Sequence, residues 1–142
     1  MTEEQLKTRI GLFLIVSHLV IIIPLVIVLY LYGGFLFEEM TTAIALIVPM
    51  FSAYLAAIIN YIISNKKKKR AKKSEDISNE FIFIAFLLPS LFIIFLISII
   101  LLKAFNIGFS TFEQFKIMLT LGESAFGIYA GYILKSLFDI ER

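Results

Sequence analysis

The chain contains no cysteine and no tryptophan, a single histidine and three prolines among its 142 residues. Without cysteine, disulfides, thiol nucleophiles and thiolate metal ligands are excluded. One histidine cannot build a histidine-based metal cage, and neither a phosphate-binding glycine loop nor a nucleophile elbow occurs. No catalytic residue, metal site or cofactor is therefore expected, and the chain reads as a non-enzyme. Without tryptophan, any aromatic belt at a membrane boundary must come from tyrosines such as Tyr30, Tyr32 and Tyr61 and from phenylalanine. Charge is scarce over four long apolar blocks, at about residues 10–32, 41–64, 81–102 and 114–138.

Those blocks dominate the composition. The chain is 60% hydrophobic with a mean hydropathy of +0.95, whereas soluble domains run at roughly 45–50% apolar. Each block meets the requirement of ~20 residues for a bilayer-crossing helix. The expected fold is all-α: a polytopic membrane protein with four transmembrane helices. The first block is too long for the apolar core of a signal peptide and no small-residue cleavage site follows it, so it reads as a retained first span.

The net charge of +2 says less than its distribution. Seven of the 13 basic residues, Lys66, Lys67, Lys68, Lys69, Arg70, Lys72 and Lys73, lie between blocks two and three. Lys7 and Arg9 precede the first block, and Lys135 and Arg142 close the chain. The connections "GGFLFEE" and "AFNIGFSTFEQ" hold no basic residue, although Lys103 and Lys116 flank the second. The positive-inside rule then places both termini and the basic loop in the cytoplasm. The lysine run reads as topogenic, or as a contact for anionic lipid headgroups worth about 1 kcal/mol per basic residue near the surface. No aromatic or folded nucleic-acid module accompanies it, so nucleic acid is not an expected partner.

An internal repeat organises the chain. "FEEMTTAIALIVPMFSAYLAAIINYII" from Phe37 overlays "FEQFKIMLTLGESAFGIYAGYILKSLF" from Phe112 without a gap. Phe37 falls on Phe112, Glu38 on Glu113, Phe51 on Phe126 and Tyr54 on Tyr129, while Ser52 and Ala56 fall on Gly127 and Gly131. The same offset lays span one over span three. Two parallel helical hairpins, N-in and C-in, follow: residues 1–65, a basic cytoplasmic loop at 66–78, and residues 79–142. Parallel repeats are expected to be related by an axis along the membrane normal. Ser110 with Glu113 and Thr2 with Gln5 fit capping boxes, and helix three is expected to start near Ser78 or Asn79. Pro24, Pro49 and Pro89 fall inside spans one, two and three, where each favours a kink.

Span four holds the most informative residues. Glu123, Gly127, Ala130, Gly131 and Leu134 recur at three- and four-residue steps and share a face. Gly127 with Gly131, and Ser52 with Ala56 in span two, form small-xxx-small seams that pack spans within the chain or pair subunits of a homo-oligomer. Glu123 lies about 18 Å from Lys135 by helical rise, near mid-membrane, where an acid costs roughly 3 kcal/mol. Its repeat counterpart is Val48, so the fold itself does not require an acid there. His18, in span one, is its candidate partner, with Ser17, Ser124, Tyr54 and Tyr129 as other hydrogen-bonding groups; His18 can equally be satisfied by a backbone carbonyl. Asn60 and Lys103, nearer span ends, are expected to reach toward the interface.

The pattern Glu123, Gly127-x-Tyr129-x-Gly131-Tyr132, Lys135, Phe138 resembles small four-span bacterial proteins similar to membrane effectors of antiphage defence systems. That resemblance implies an oligomer that perturbs or permeabilises the inner membrane, triggered through a separate sensor or partner protein. Small four-span drug exporters compare poorly, because they carry their essential acid in the first span, where this chain has His18. Three functions stay open: a homo-oligomeric channel or membrane-perturbing effector, a proton- or cation-coupled transporter, and a non-conducting accessory subunit of a larger complex.

Overall fold

A computed structural model of the chain describes the backbone of residues 3–68 and 79–138, with side chains over most of 5–56 and 82–128. The described residues form helices joined by short turns, with no strand among them. α1 (Glu3–Val16), a π-helical segment (Ser17–Ile22) and α2 (Ile23–Leu31) form one continuous rod; α3 (Phe37–Lys68), α4 (Asn79–Ala104) and α5 (Phe112–Phe138) complete the bundle. Two stretches, Thr8–Leu31 and Ile82–Ala104, are long and apolar enough to cross a membrane. Most of both stays uncovered by protein, and Leu12, Leu19, Val20, Leu31, Phe83, Leu91 and Ile94 face outward.

The π segment has a local cause. Pro24 has no N–H, and its ring would strike the carbonyl four residues back in an α-helix. The wider turn ahead of it removes that clash, and the Ile23 N–H bonds the His18 carbonyl instead. Val16 and Ile23, on either side of the wider turn, keep right-handed helical dihedrals. Leu6, Ile10, Leu14, His18, Ile22 and Val26, buried along the rod, follow a constant four-residue step, with Gly11 and Ser17 buried beside them. Such a step drifts around a helix of 3.6 residues per turn; the wider turn takes up part of that drift. Pro49 and Pro89 lie within unbroken α-helices.

The connections after α2 and after α4 each begin with a residue pair that closes the preceding helix by a Schellman-type turn. Gly33 and Gly34 donate to the carbonyls of Tyr30 and Leu29, and Asn106 and Ile107 donate to those of Lys103 and Leu102. Gly33 (φ 79°) and Asn106 (φ 54°) occupy the left-handed conformation that this closure requires. α3 and α5 then start at Phe37 and Phe112, the positions that the ungapped overlay aligns. Their first turns are capped alike. Leu36 N–H donates to Glu39 Oε2 at 3.0 Å, and Ser110 N–H donates to Gln114 Oε1 at 2.8 Å. Thr111 Oγ1 in turn accepts from the Gln114 N–H, so the cap of α5 is Thr111 with Gln114 and not Ser110 with Glu113. Glu113 pairs with Lys116 at 2.8 Å.

The rods pack as a ring. The first rod lies against α3 and α4, and α5 lies against the same two helices, so α3 and α4 occupy opposite corners. Corresponding helices of the two hairpins are therefore neighbours: the first rod with α4, and α3 with α5. α3 also runs further than the sequence pattern indicated, through Lys68, so the basic segment begins inside a helix.

Candidate functional site

The interior of the bundle is apolar except at four positions: Ser17, His18, Lys103 and Glu123 are the buried polar or charged side chains among the described residues. Ser17 satisfies itself by donating from Oγ to the Phe13 carbonyl at 2.7 Å. Ser52, Ser90 and Ser98 likewise donate to the carbonyl four residues back in their own helices. None of these hydroxyls serves the buried acid.

His18 is fully buried. Its Nδ1 lies 2.9 Å from the Leu14 carbonyl and donates to it, which leaves Nε2 as an acceptor. That Nε2 has no hydrogen-bond partner among the described residues. The imidazole is gripped by aromatic rings: it stacks on Phe51 at 5.1 Å between centroids and meets Phe92 at 6.3 Å. Phe92 stacks flat on Phe126 at 4.0 Å. The rings of Phe51, His18, Phe92 and Phe126 thus form a stack fed by α3, the π segment, α4 and α5. Phe51 and Phe126 are counterparts under the overlay, and both are buried in this stack.

Glu123 sits on α5 one turn from Phe126 and retains 4% exposure. Neither carboxylate oxygen has a partner among the described residues. Buried polar groups are hydrogen-bonded in the great majority of cases, and an orphan costs about 1–3 kcal/mol or more. His18 and Glu123 thus lie in the same core, joined through Phe92 and Phe126, without a direct bond between them. Glu123 faces its own bundle, whereas Ser124 and Ala125 beside it are exposed.

The small-residue seams divide. Ser52 and Ala56 are exposed, so in the single chain they do not pack α3 against α5. Gly127 is half-buried, and the surroundings of Gly131 lie outside the described residues. Close approach is made by Gly122, where an added Cβ would sit 2.2 Å from Cε1 of Phe95 on α4. The side chains of Tyr54, Asn60, Lys66, Lys67, Lys68 and Tyr129 also lie outside the description, as do Thr2, Lys69, Arg70, Lys72, Lys73 and Ser78 altogether.

Lys103 does not reach outward. It is 8% exposed, its Nζ lies 3.2 Å from Glu39 Oε1, and it stands over the rings of Phe35 and Phe112 at 5.6 and 5.9 Å. Sequence reading missed this pair. The available signal was a lysine ending an apolar run in a connection otherwise free of basic residues, set opposite two successive acids, Glu38 and Glu39.

Compared with known protein families, with curated proteins and with solved structures, the chain matches none. Among the described residues no group of three or more His, Cys, Asp or Glu could hold a metal ion.

Proposed function

We propose that this chain is a four-span inner-membrane protein with both termini in the cytoplasm, and that it passes protons or small cations across that membrane as a homo-oligomer. One observation carries the reading: Glu123 is almost fully buried in an apolar helical bundle with both oxygens unpartnered. A membrane protein retains an acid of this kind where it meets a proton, a cation or a partner group. Because Glu123 points into its own bundle, the charge it meets arrives through the bundle interior. The Phe92–Phe126 stack beside it then acts as a hydrophobic constriction, and the free Nε2 of His18 on its far side is a second acceptor. The exposed Ser52 and Ala56 supply a face on which copies can approach closely.

In the setting that the antiphage resemblance implies, such a protein would depolarise the membrane when a separate sensor triggers it, with the basic segment from Lys66 held at anionic lipid. A non-conducting accessory role is the second reading, favoured by the phenylalanine-filled interior around His18. The test is ion flux in liposomes for the wild-type chain and Glu123→Gln, with the mass of each in nanodiscs. Flux lost in the variant with mass unchanged supports permeation. A wild-type chain silent toward protons and monovalent cations, at rest and after membrane polarisation, leaves the accessory role.

A further inference from the structure

The turn end of the bundle carries a cross-brace that the permeation reading leaves unused. Lys103 ends α4 and Glu39 lies in the first turn of α3, and these helices stand at opposite corners. The ion pair between them, 3.2 Å from Nζ to Oε1, therefore crosses the bundle axis. Each half is held. Glu39 Oε2 accepts the Leu36 N–H, which aims Oε1 at the lysine. The ammonium lies over the Phe35 and Phe112 rings, a cation–π arrangement that suits a partly desolvated lysine. Gly34 brings the first turn against Ala104; an added Cβ there would stand 2.8 Å from the alanine Cβ.

Beneath the brace, Phe35 and Phe109 meet Phe115 edge-on at 5.9 Å, and Phe112 stacks on it at 5.5 Å. Phe115, Leu119 and Glu123 then follow at four-residue steps down the inward face of α5, all buried. Phe115 and Glu123 are about 12 Å apart along the axis. The ion pair thus closes the end of the column in which the orphan carboxylate lies. A well-packed apolar pair would hold two helices as firmly, whereas a buried ion pair fails as a unit once either partner is displaced. That property suits a closure that must also open.

We propose that Glu39–Lys103 is a latch that shuts the turn side of the bundle over Glu123, and that releasing it admits water and small cations to that carboxylate. The inference rests on the permeation reading for its purpose, but its test does not use flux. The chain has no cysteine, so Glu123→Cys in the full-length protein gives a single thiol. Its modification by a membrane-impermeant charged methanethiosulfonate is timed separately from each face of oriented proteoliposomes. Adding Lys103→Met, or Glu39→Gln, is expected to raise the rate from the turn side by about tenfold or more, with the rate from the other face unchanged. Glu39→Gln keeps an oxygen for the Leu36 N–H, so it carries the test if the lysine variant does not fold. An unchanged turn-side rate overturns the latch, as does an equal rise from both faces, which marks general loosening. A turn-side rise in a chain that conducts nothing retains the latch and removes the permeation reading.

Discussion

The rings of Phe92 and Phe126 lie parallel, 1° apart in plane and 4.0 Å between centroids. They join the side of the core that grips His18 to the helix that carries Glu123. Truncating one of them opens a void in a close-packed interior. Phe126→Ala should destabilise the bundle by about 3 kcal/mol, read as a lower unfolding midpoint in detergent. Phe126→Leu should lose less. If the stack is the constriction, both variants also leak protons faster in liposomes; a lowered midpoint without any leak assigns the stack to packing alone.

Glu123 should behave oppositely. It adds no partnered contact among the described residues, so Glu123→Met, similar in volume and apolar, should raise the unfolding midpoint by the equivalent of about 1–3 kcal/mol. The same substitution should abolish flux. A destabilised Glu123→Met protein would show that the carboxylate is a structural element after all.

Gly122 permits α5 to lie against Phe95. Gly122→Ala drives a methyl into the ring edge and should cost about 1–3 kcal/mol. Shortening the opposing residue should relieve it, so Gly122→Ala with Phe95→Leu should recover part of the loss in a double-mutant cycle. Purely additive effects would mean that the contact is not the source of the penalty.

Pro24 should be the reason for the π turn. In Pro24→Ala a backbone N–H returns and can bond the Val20 carbonyl, which allows an ordinary α-turn. Closing the turn shifts the register around His18 and withdraws it from Phe51. The imidazole ¹⁵N and ring-proton shifts of the only histidine report this directly, and unchanged shifts would show that packing, not proline, holds the wide turn.

Ser52 and Ala56 offer a test of assembly that leaves the monomer core alone. Both are exposed, so Ser52→Leu with Ala56→Leu should barely move the unfolding midpoint. If copies meet on this face, the particle mass falls; an unaltered mass places any oligomer contact elsewhere.

The helices were legible because their signals are local: long apolar runs separated by the connections "GGFLFEE" and "AFNIGFSTFEQ". The common start of α3 and α5 was legible in the overlay of Phe37 on Phe112. Glu123 and His18 stood out because ionisable groups are rare in such runs. What escaped depends on three-dimensional pairing. Lys103 and Glu39 are far apart in sequence, and a lysine near a helix end is ordinarily solvated. The role of Gly122 was hidden because only the position of Phe95 on another helix makes a missing side chain matter there. That α3 and α5 become neighbours was invisible for the same reason, since it depends on how the helices assemble.

That placement carries an electrostatic consequence. Neighbouring α3 and α5 run in the same direction, so their N-terminal ends, each equivalent to about half a positive charge, stand together at the turn side. Two such ends repel, although each also borders the C-terminal end of an antiparallel helix, α2 beside α3 and α4 beside α5. The chain sets Glu38 and Glu39 in the first turn of α3 and Glu113 in the first turn of α5, while Lys103 sits at the oppositely polarised end of α4. The acids at the turns are then counter-charges for the helix N-terminal ends, and Glu39 and Glu113 are partners of Lys103 and Lys116 as well, whichever side of a membrane they face.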